Sequence, residues 1–177
     1  MPEHLYFRGE PVRCRPVRNA ECIRLQRDAK GHWLLTVPLG APKDAAVQFL
    51  SAYMGQVPSR PGPPQNPGPV RMEGFLAHLR GAAELYCHRL DVPVPEILLF
   101  RSHKLWGNCR QLPPQVRLHE QLIDYPSDIV AEALLHELCH LRVPDHSPAF
   151  WQLLTQLMPD WPKREGILRS YQPKSFS

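Results

Sequence analysis

The residues of this chain whose spacing best suits chemistry are two histidines four positions apart, with a glutamate directly after the first. They are His136, Glu137 and His140, within the segment HELCHLRVPDH at 136–146. On a helix, side chains at i and i+4 lie one above the other, about 5 to 6 Å apart at Cβ, so both imidazoles can bind one zinc ion. The spacing therefore predicts a metal site.

Glu137 is predicted to act as a general base at that site. On a helix its side chain is rotated by about 100° from that of His136, so it does not easily join the imidazoles as a ligand but can reach a water bound to the metal. A carboxylate there can take the proton of the water and deliver it to a leaving amine. The motif alone leaves another interpretation open, a half-buried helix whose histidines bond to backbone groups.

A third histidine, His146, follows a break that Pro144 imposes on the helix. A reversal of the chain at this break can return the third imidazole towards the first two. Three protein ligands with one open position form the usual catalytic zinc site. Ser147 as N-cap and Pro148 at the first helical position predict a new helix directly after His146, which would anchor that ligand.

Three carboxylates, Asp145, Asp160 and Glu165, are alternatives to His146, because carboxylates also complete zinc sites. The shorter side chain of Asp145 would need a different approach of the backbone. Asp160 and Glu165 lie beyond the helix predicted to begin at Ser147, whereas His146 needs only the turn at the proline. We therefore prefer His146.

The elements that must position these residues follow from periodicity and turn residues. Short alternating segments near the start predict a small antiparallel sheet, and six prolines between 58 and 69 exclude a helix or strand interior there. The predicted elements are strands within 5–17, 21–28 and 32–38, a helix at 43–54, a loop at 57–70, a helix from Met72 to Leu90, strands within 96–103 and 115–126, and a helix from Ser127.

Composition is typical of a folded domain without a membrane segment. The chain has 177 residues, 43% apolar and 21% charged, and no apolar run approaches the roughly 18 residues of a membrane-spanning helix. No secretion signal is evident at the start, and the five cysteines contain no C-x-x-C pair. We expect reduced thiols and a cytoplasmic protein.

Excess positive charge is confined to the first 70 residues, where nine Lys and Arg face five Asp and Glu. This basic region keeps nucleic acid open as a partner. The sequence does not interleave aromatic with basic residues as nucleic-acid platforms do, so solvated outer faces of strands are favoured. The basic residues are Arg13, Arg15, Arg18, Arg24, Arg27 and Lys30.

The segments HELCHLRVPDHSPAFW and LWGNC together closely resemble the YgjP-like metallopeptidase domain, which is related to the SprT-like zinc proteases. The resemblance is strong over about residues 100–156. It implies a zincin-like core with His136, His140 and His146 as zinc ligands and Glu137 as the catalytic glutamate. Asn108 stands where the family more often has serine.

We predict an α+β protein with a zincin-like metallopeptidase core and an N-terminal antiparallel β-rich part. The parts are a β-rich part at 1–56, a proline-rich linker at 57–70 and the core at 71–177, which together form one integrated domain. One Zn²⁺ per chain would serve hydrolysis of a peptide or unfolded protein, bound by β-strand addition to segment 103–119. Trp106 and Asn108 are predicted to line the cleft.

Two other functions stay open. One is a SprT-like protease acting on proteins bound or crosslinked to DNA, against which the absence of a separate DNA-binding module weighs. The other is a non-catalytic interaction module that keeps zinc for structure. The residue that stabilises the oxyanion is also open, with Tyr125, Tyr171, His103 and Arg142 as chemically able candidates.

Overall fold

Two small β-sheets and five α-helices make up the part of the chain that the structure, a computed structural model, describes: residues 5–54, 69–102 and 104–170. This confirms the predicted α+β class. The helices are α1 Ala45–Met54, α2 Pro69–Leu90, α3 Ser127–Cys139, α4 Pro148–Leu157 and α5 Trp161–Ser170, with a 3-10 helix at Glu120–Asp124. The strands are β1 Leu5–Phe7, β2 Glu10–Val17, β3 Arg24–Arg27, β4 Trp33–Pro38, β5 Glu96–Phe100, β6 Gly107–Gln111 and β7 Pro114–His119.

Residue contacts divide the described chain into two compact units. The first unit contains residues 5–54 and 145–170, and the second contains 69–102 and 104–144. Helices α4 and α5 thus belong to the same unit as the N-terminal sheet. The division into a part at 1–56 and a core at 71–177 stays a prediction. The predicted linker at 57–70 lies outside the described residues, except for residues 69 and 70, where α2 begins.

The sheet of the first unit has the order β1-β2-β4-β3. Its first hairpin turns at Arg8 and Gly9, whose φ angles are 53° and 80°. Two consecutive positive φ angles characterise the tight turn that matches the twist of antiparallel strands, and glycine adopts this conformation without strain. This turn breaks the predicted strand at 5–17 into β1 and β2.

The prediction of an antiparallel N-terminal sheet was wrong at one pairing, because β2 and β4 are parallel. β1 pairs with β2 and β3 with β4 as antiparallel hairpins, but β4 lies between β2 and β3. The burial of the strands explains this order. β4 contains the buried Leu35 and Val37 and takes a central position, whereas the polar β3 takes the edge, where its charged side chains remain in water.

Aromatic and aliphatic side chains from three helices form the core of the first unit. Helix α1 packs against α5, with Phe49 and Trp161 almost fully buried. Trp151 of α4 lies against Trp161, with 4.6 Å between the ring centroids. Full burial of each such side chain contributes roughly 1.5–3 kcal/mol, so these helices are fixed mainly by the hydrophobic effect.

The sheet of the second unit has the order β5-β7-β6, with β5 parallel and β6 antiparallel to β7. The predicted strands within 96–103 and 115–126 correspond to β5 and β7. Strand β6 was not predicted as a strand, because its sequence GNCRQ contains none of the β-branched or aromatic residues that favour extended structure. Pairing with β7 imposes the extended conformation on β6.

None of the helices in the described ranges combines the length and apolar character that crossing a membrane requires. All five cysteines lie in the described residues and are free thiols.

Candidate active site

Helix α3 carries the first two histidines close to its end. It begins at Ser127, as predicted, and His140 caps it with helical backbone angles. Val130, Leu134 and Leu138 follow one another at four-residue intervals, form an apolar stripe along the helix and are buried. Because this stripe fixes the rotation of the helix, His136 and His140 lie together on a neighbouring, half-buried face.

Three imidazoles come together within eleven consecutive residues. The rings of His136 and His140 have centroids 5.2 Å apart. His136, His140 and His146 each offer one ligand atom, and these atoms lie within 4.8 Å of one another. A set of three imidazole nitrogens is one that zinc and other borderline transition metals prefer. The donor set therefore fits the metal that the sequence predicts.

The two nitrogens of His140 have different roles. Its Nδ1 lies 3.1 Å from the carbonyl oxygen of Val143, so the ring donates a proton to that carbonyl. Because a carbonyl oxygen only accepts, this hydrogen bond places the proton on Nδ1, and Nε2 then carries the lone pair that a metal ligand needs. Such a partner on the far side of a ligand fixes the tautomer and orientation of the ring.

Helix α4 anchors His146 directly. The helix begins with Ser147 as N-cap and Pro148 at its first position, as predicted, although Ser147 makes no side-chain capping bond. The His146 ring lies against Phe150 and Trp151, at centroid distances of 4.9 and 5.6 Å. The indole of Trp151 also donates to the His146 carbonyl, at 3.2 Å. These contacts restrict both the ring and the backbone of His146.

The side chain of Glu137 lies against Gly107 of β6. A Cβ atom placed on Gly107 would lie 2.7 Å from both Cγ and Oε1 of Glu137, a distance at which the atoms overlap. Removal from water raises the pKa of the Glu137 carboxyl to about 8. A carboxyl that titrates near neutral pH is suited to accepting and releasing a proton. A cation bound nearby would lower this pKa, because opposite charge favours the ionised form.

One face of strand β6 lies along the C-terminal end of helix α3. Gly107, Cys109 and Gln111 alternate along the strand and share this face. The Gln111 amide donates to the carbonyl oxygen of His140 at 3.0 Å. Burial, and to a lesser extent the charge of Glu137, raise the pKa of the Cys109 thiol to about 12. The strand thus holds the end of the helix at two points.

Sequence reasoning had not assigned a role to Gly107 or Gln111. Gly107 belongs to the segment LWGNC that carries the family resemblance, and this was the only signal for it. Nothing in the sequence marked Gln111.

Trp106, predicted for the cleft, packs mainly within the second unit. Its ring makes edge contacts with His119 and Tyr125, at centroid distances of 5.6 and 5.3 Å. Asn108 is half-buried and points to the face of β6 opposite Gly107. Their role in substrate binding stays a prediction. Of the oxyanion candidates, Tyr171 and His103 lie outside the described residues.

The alternative carboxylates and His119 are not part of the histidine group within the described chain. Glu165 is buried and accepts a hydrogen bond from the Ile23 amide at 3.3 Å. Asp160 pairs with Arg164 at 3.0 Å. His119 is buried, and its Nε2 lies 2.8 Å from the carbonyl oxygen of Ser102, so it packs within the second unit.

Three convergent imidazoles beside a half-buried carboxyl are typical of metal-dependent hydrolases. The family model of the YgjP-like metallopeptidase domain matches residues 72–171, more than half of the chain. The chain therefore belongs to the YgjP-like metallopeptidase family, as the sequence resemblance indicated. No curated protein and no solved structure is significantly similar to it. Membership supports a hydrolase whose substrate is a protein.

Proposed function

We propose that this protein is a zinc-dependent peptidase with a zincin-like core, in which His136, His140 and His146 hold one zinc ion and Glu137 is the general base. The grouping of the three imidazole ligand atoms within 4.8 Å supports the proposal most directly. When bound, zinc supplies a positive charge that polarises a peptide carbonyl and acidifies water. Glu137 takes up the proton of the attacking water and delivers it to the leaving amine.

The number of ligands favours catalysis over a purely structural zinc site. Structural zinc sites are closed by four protein ligands, whereas catalytic sites leave one position open. Within the described residues, no fourth His, Cys, Asp or Glu joins the three histidines. Cys139 lies inside the motif but is fully buried, and burial raises its thiol pKa to about 12, so it is poorly suited to ligation as a thiolate.

Strand β6 offers an edge to which a substrate peptide could add. Among the described strands it pairs only with β7, so its other side has backbone groups that remain available for pairing. An extended peptide binds such an edge through main-chain hydrogen bonds. Because β6 also contacts Glu137 through Gly107, a peptide on this edge would lie next to the proposed base. Cytoplasmic location stays a prediction.

Metal analysis combined with a peptidase assay tests the proposal. The purified chain should contain about one zinc per molecule and hydrolyse an unfolded protein such as reduced casein. Glu137→Gln keeps the size of the side chain but removes the base, so it should keep zinc and lower kcat by about 10²–10⁴-fold. If the protein purified after zinc-replete expression contains no zinc, the metal assignment is wrong. If Glu137→Gln keeps full activity, the assignment of Glu137 as the base is wrong.

A further inference from the structure

One face of the first unit's sheet is basic and has no acidic residue. Val12, Leu35 and Val37 are buried and define the inner face of the sheet. Side chains alternate along a strand, and paired residues share a face. Arg13 pairs with Leu34, and Arg15 lies in one row with Thr36 and Arg24. The three arginines therefore share the outer face, and all three are exposed.

The remainder of this outer face adds an aromatic ring and no negative charge. Tyr6 of β1 pairs with Pro11, which alternates with Arg13 on the same face, and Tyr6 is 57% exposed. Gln26 of β3 lies beyond Leu34 in the same row as Arg13. No outer position of β1 to β4 is Asp or Glu.

The acidic residues within β1 to β4 or directly after β3 are occupied elsewhere. Glu10 lies on the inner face and pairs with Arg27 at 2.7 Å. Asp28 is in the turn before β4 and accepts from the backbone amides of Lys30 and His32. None of the ion pairs among the described residues involves Arg13, Arg15 or Arg24, so no carboxylate is paired with these three guanidinium groups there.

We propose that this outer face binds single-stranded nucleic acid, with Arg13, Arg15 and Arg24 on phosphates and Tyr6 stacked on a base. A guanidinium group matches a phosphate with two parallel hydrogen bonds, and stacking on an aromatic ring adds affinity that tolerates any base. Strand geometry places Arg13 and Arg15 about 7 Å apart at Cα, and Arg15 and Arg24 about 10 Å apart, across two strands. The arginines thus form a patch that several phosphates of one strand can contact.

An acidic protein fits this face less well than nucleic acid. Protein interfaces have a core depleted in charged residues and a polar rim. Here two of the three arginines, Arg13 and Arg15, lie on the central strand β2, and Leu34 and Thr36 on the adjacent β4 are only half-buried. Flat sheet faces with exposed aromatic rings are a common platform for unpaired bases, whereas duplex grooves mostly receive helices.

Fluorescence anisotropy with the full chain and a labelled oligo-dT of about 20 nucleotides tests the proposal. Three phosphate contacts predict that log K falls with log salt with a slope of about −2. The triple variant Arg13→Gln, Arg15→Gln, Arg24→Gln should bind more than about tenfold more weakly, with a slope near zero. Tyr6→Ala should weaken binding about fivefold or more and leave the slope unchanged.

The matched control is a triple variant that removes the same charge from other exposed positions, Lys43→Gln, Arg80→Gln, Arg89→Gln. It should bind like the unchanged chain, and circular dichroism should show that both triple variants are folded. Equal losses in the two triple variants would show a general effect of net charge and overturn the proposal. Absence of binding at low salt, or equal affinity for a labelled poly-glutamate, overturns it as well. None of these outcomes depends on peptidase activity.

Discussion

Gly107 and Glu137 lie so close that a side chain at position 107 would require the side chain of Glu137 to move. A Cβ there would be 2.7 Å from Cγ and Oε1 of Glu137 and 2.9 Å from Cδ. Glycine at this point of β6 therefore defines where the carboxyl of Glu137 can lie. The family segment LWGNC contains this glycine, and the structure supplies a steric reason for it.

Substitution of Gly107 by alanine should disturb Glu137 before it disturbs metal binding. Overpacking of a filled site costs about 1–3 kcal/mol, and relief requires Glu137 to move. We expect Gly107→Ala to lower the free energy of unfolding by that amount and to reduce kcat, with zinc retained. Denaturant unfolding, metal analysis and the peptidase assay measure the three quantities. Gly81→Ala is the control, since a Cβ at this α2 residue meets no atom within 4 Å.

A double-mutant cycle isolates this contact from other effects of the alanine. Glu137→Ala removes Cγ, Cδ and Oε1, so Gly107→Ala made in that background should cost far less stability than in the unchanged chain. The two substitutions should thus show a coupling of about 1 kcal/mol or more. Additive costs would mean that the contact does not restrict Glu137.

His146 is expected to contribute a full ligand to zinc. Loss of a group outside the ligand shell already weakens metal binding by about 10–100-fold, so His146→Ala should weaken zinc binding by more than about a hundredfold. Competition with a chromophoric chelator measures the affinity. Asp145→Asn and His78→Ala are the controls, the first for the neighbouring carboxylate and the second for an exposed histidine on α2. If the asparagine variant loses zinc and the alanine variant of His146 keeps it, the third ligand is the carboxylate.

Zinc should stabilise the folded chain by linkage. A metal that binds only the folded state adds about 2.7 kcal/mol when its free concentration is 100 times the dissociation constant. Removal of zinc by a chelator should therefore lower Tm, and added zinc should restore it. Differential scanning calorimetry of the unchanged chain and of His136→Ala provides the comparison. The alanine variant should have a low Tm that hardly responds to the chelator.

Buried Glu165 should make the first unit less stable as pH rises. Burial raises its pKa from 4.5 to about 7, although Arg169 and the Ile23 amide oppose this shift. The folded chain then holds the proton more tightly than the unfolded chain, so the stabilisation is complete below pH 4.5 and is lost as pH rises through 7. The loss corresponds to about 3 kcal/mol. Glu165→Gln cannot titrate, so the difference in unfolding free energy between the two proteins should change by about this amount between pH 4.5 and 8.

Local sequence determined the elements that carry the chemistry. His136 and His140 share a helix face because a four-residue spacing is close to one turn, and Ser147 with Pro148 starts α4 because both residues suit a helix N-terminus. The four-residue spacing of Val130, Leu134 and Leu138 likewise marks the side of α3 that is buried. These features depend on neighbours in the sequence, so they could be read without knowledge of the fold.

Contacts between distant residues were decided only by the tertiary structure. The parallel pairing of β2 with β4, the extended conformation of β6 and the steric fit of Gly107 to Glu137 each join segments that no local pattern relates. The basic face shows the same dependence: Tyr6, Arg13 and Arg24 do not interleave in the sequence, but strand register brings them to one surface. Side-chain alternation is local, whereas the choice of neighbouring strand depends on which strands can bury the most apolar surface together.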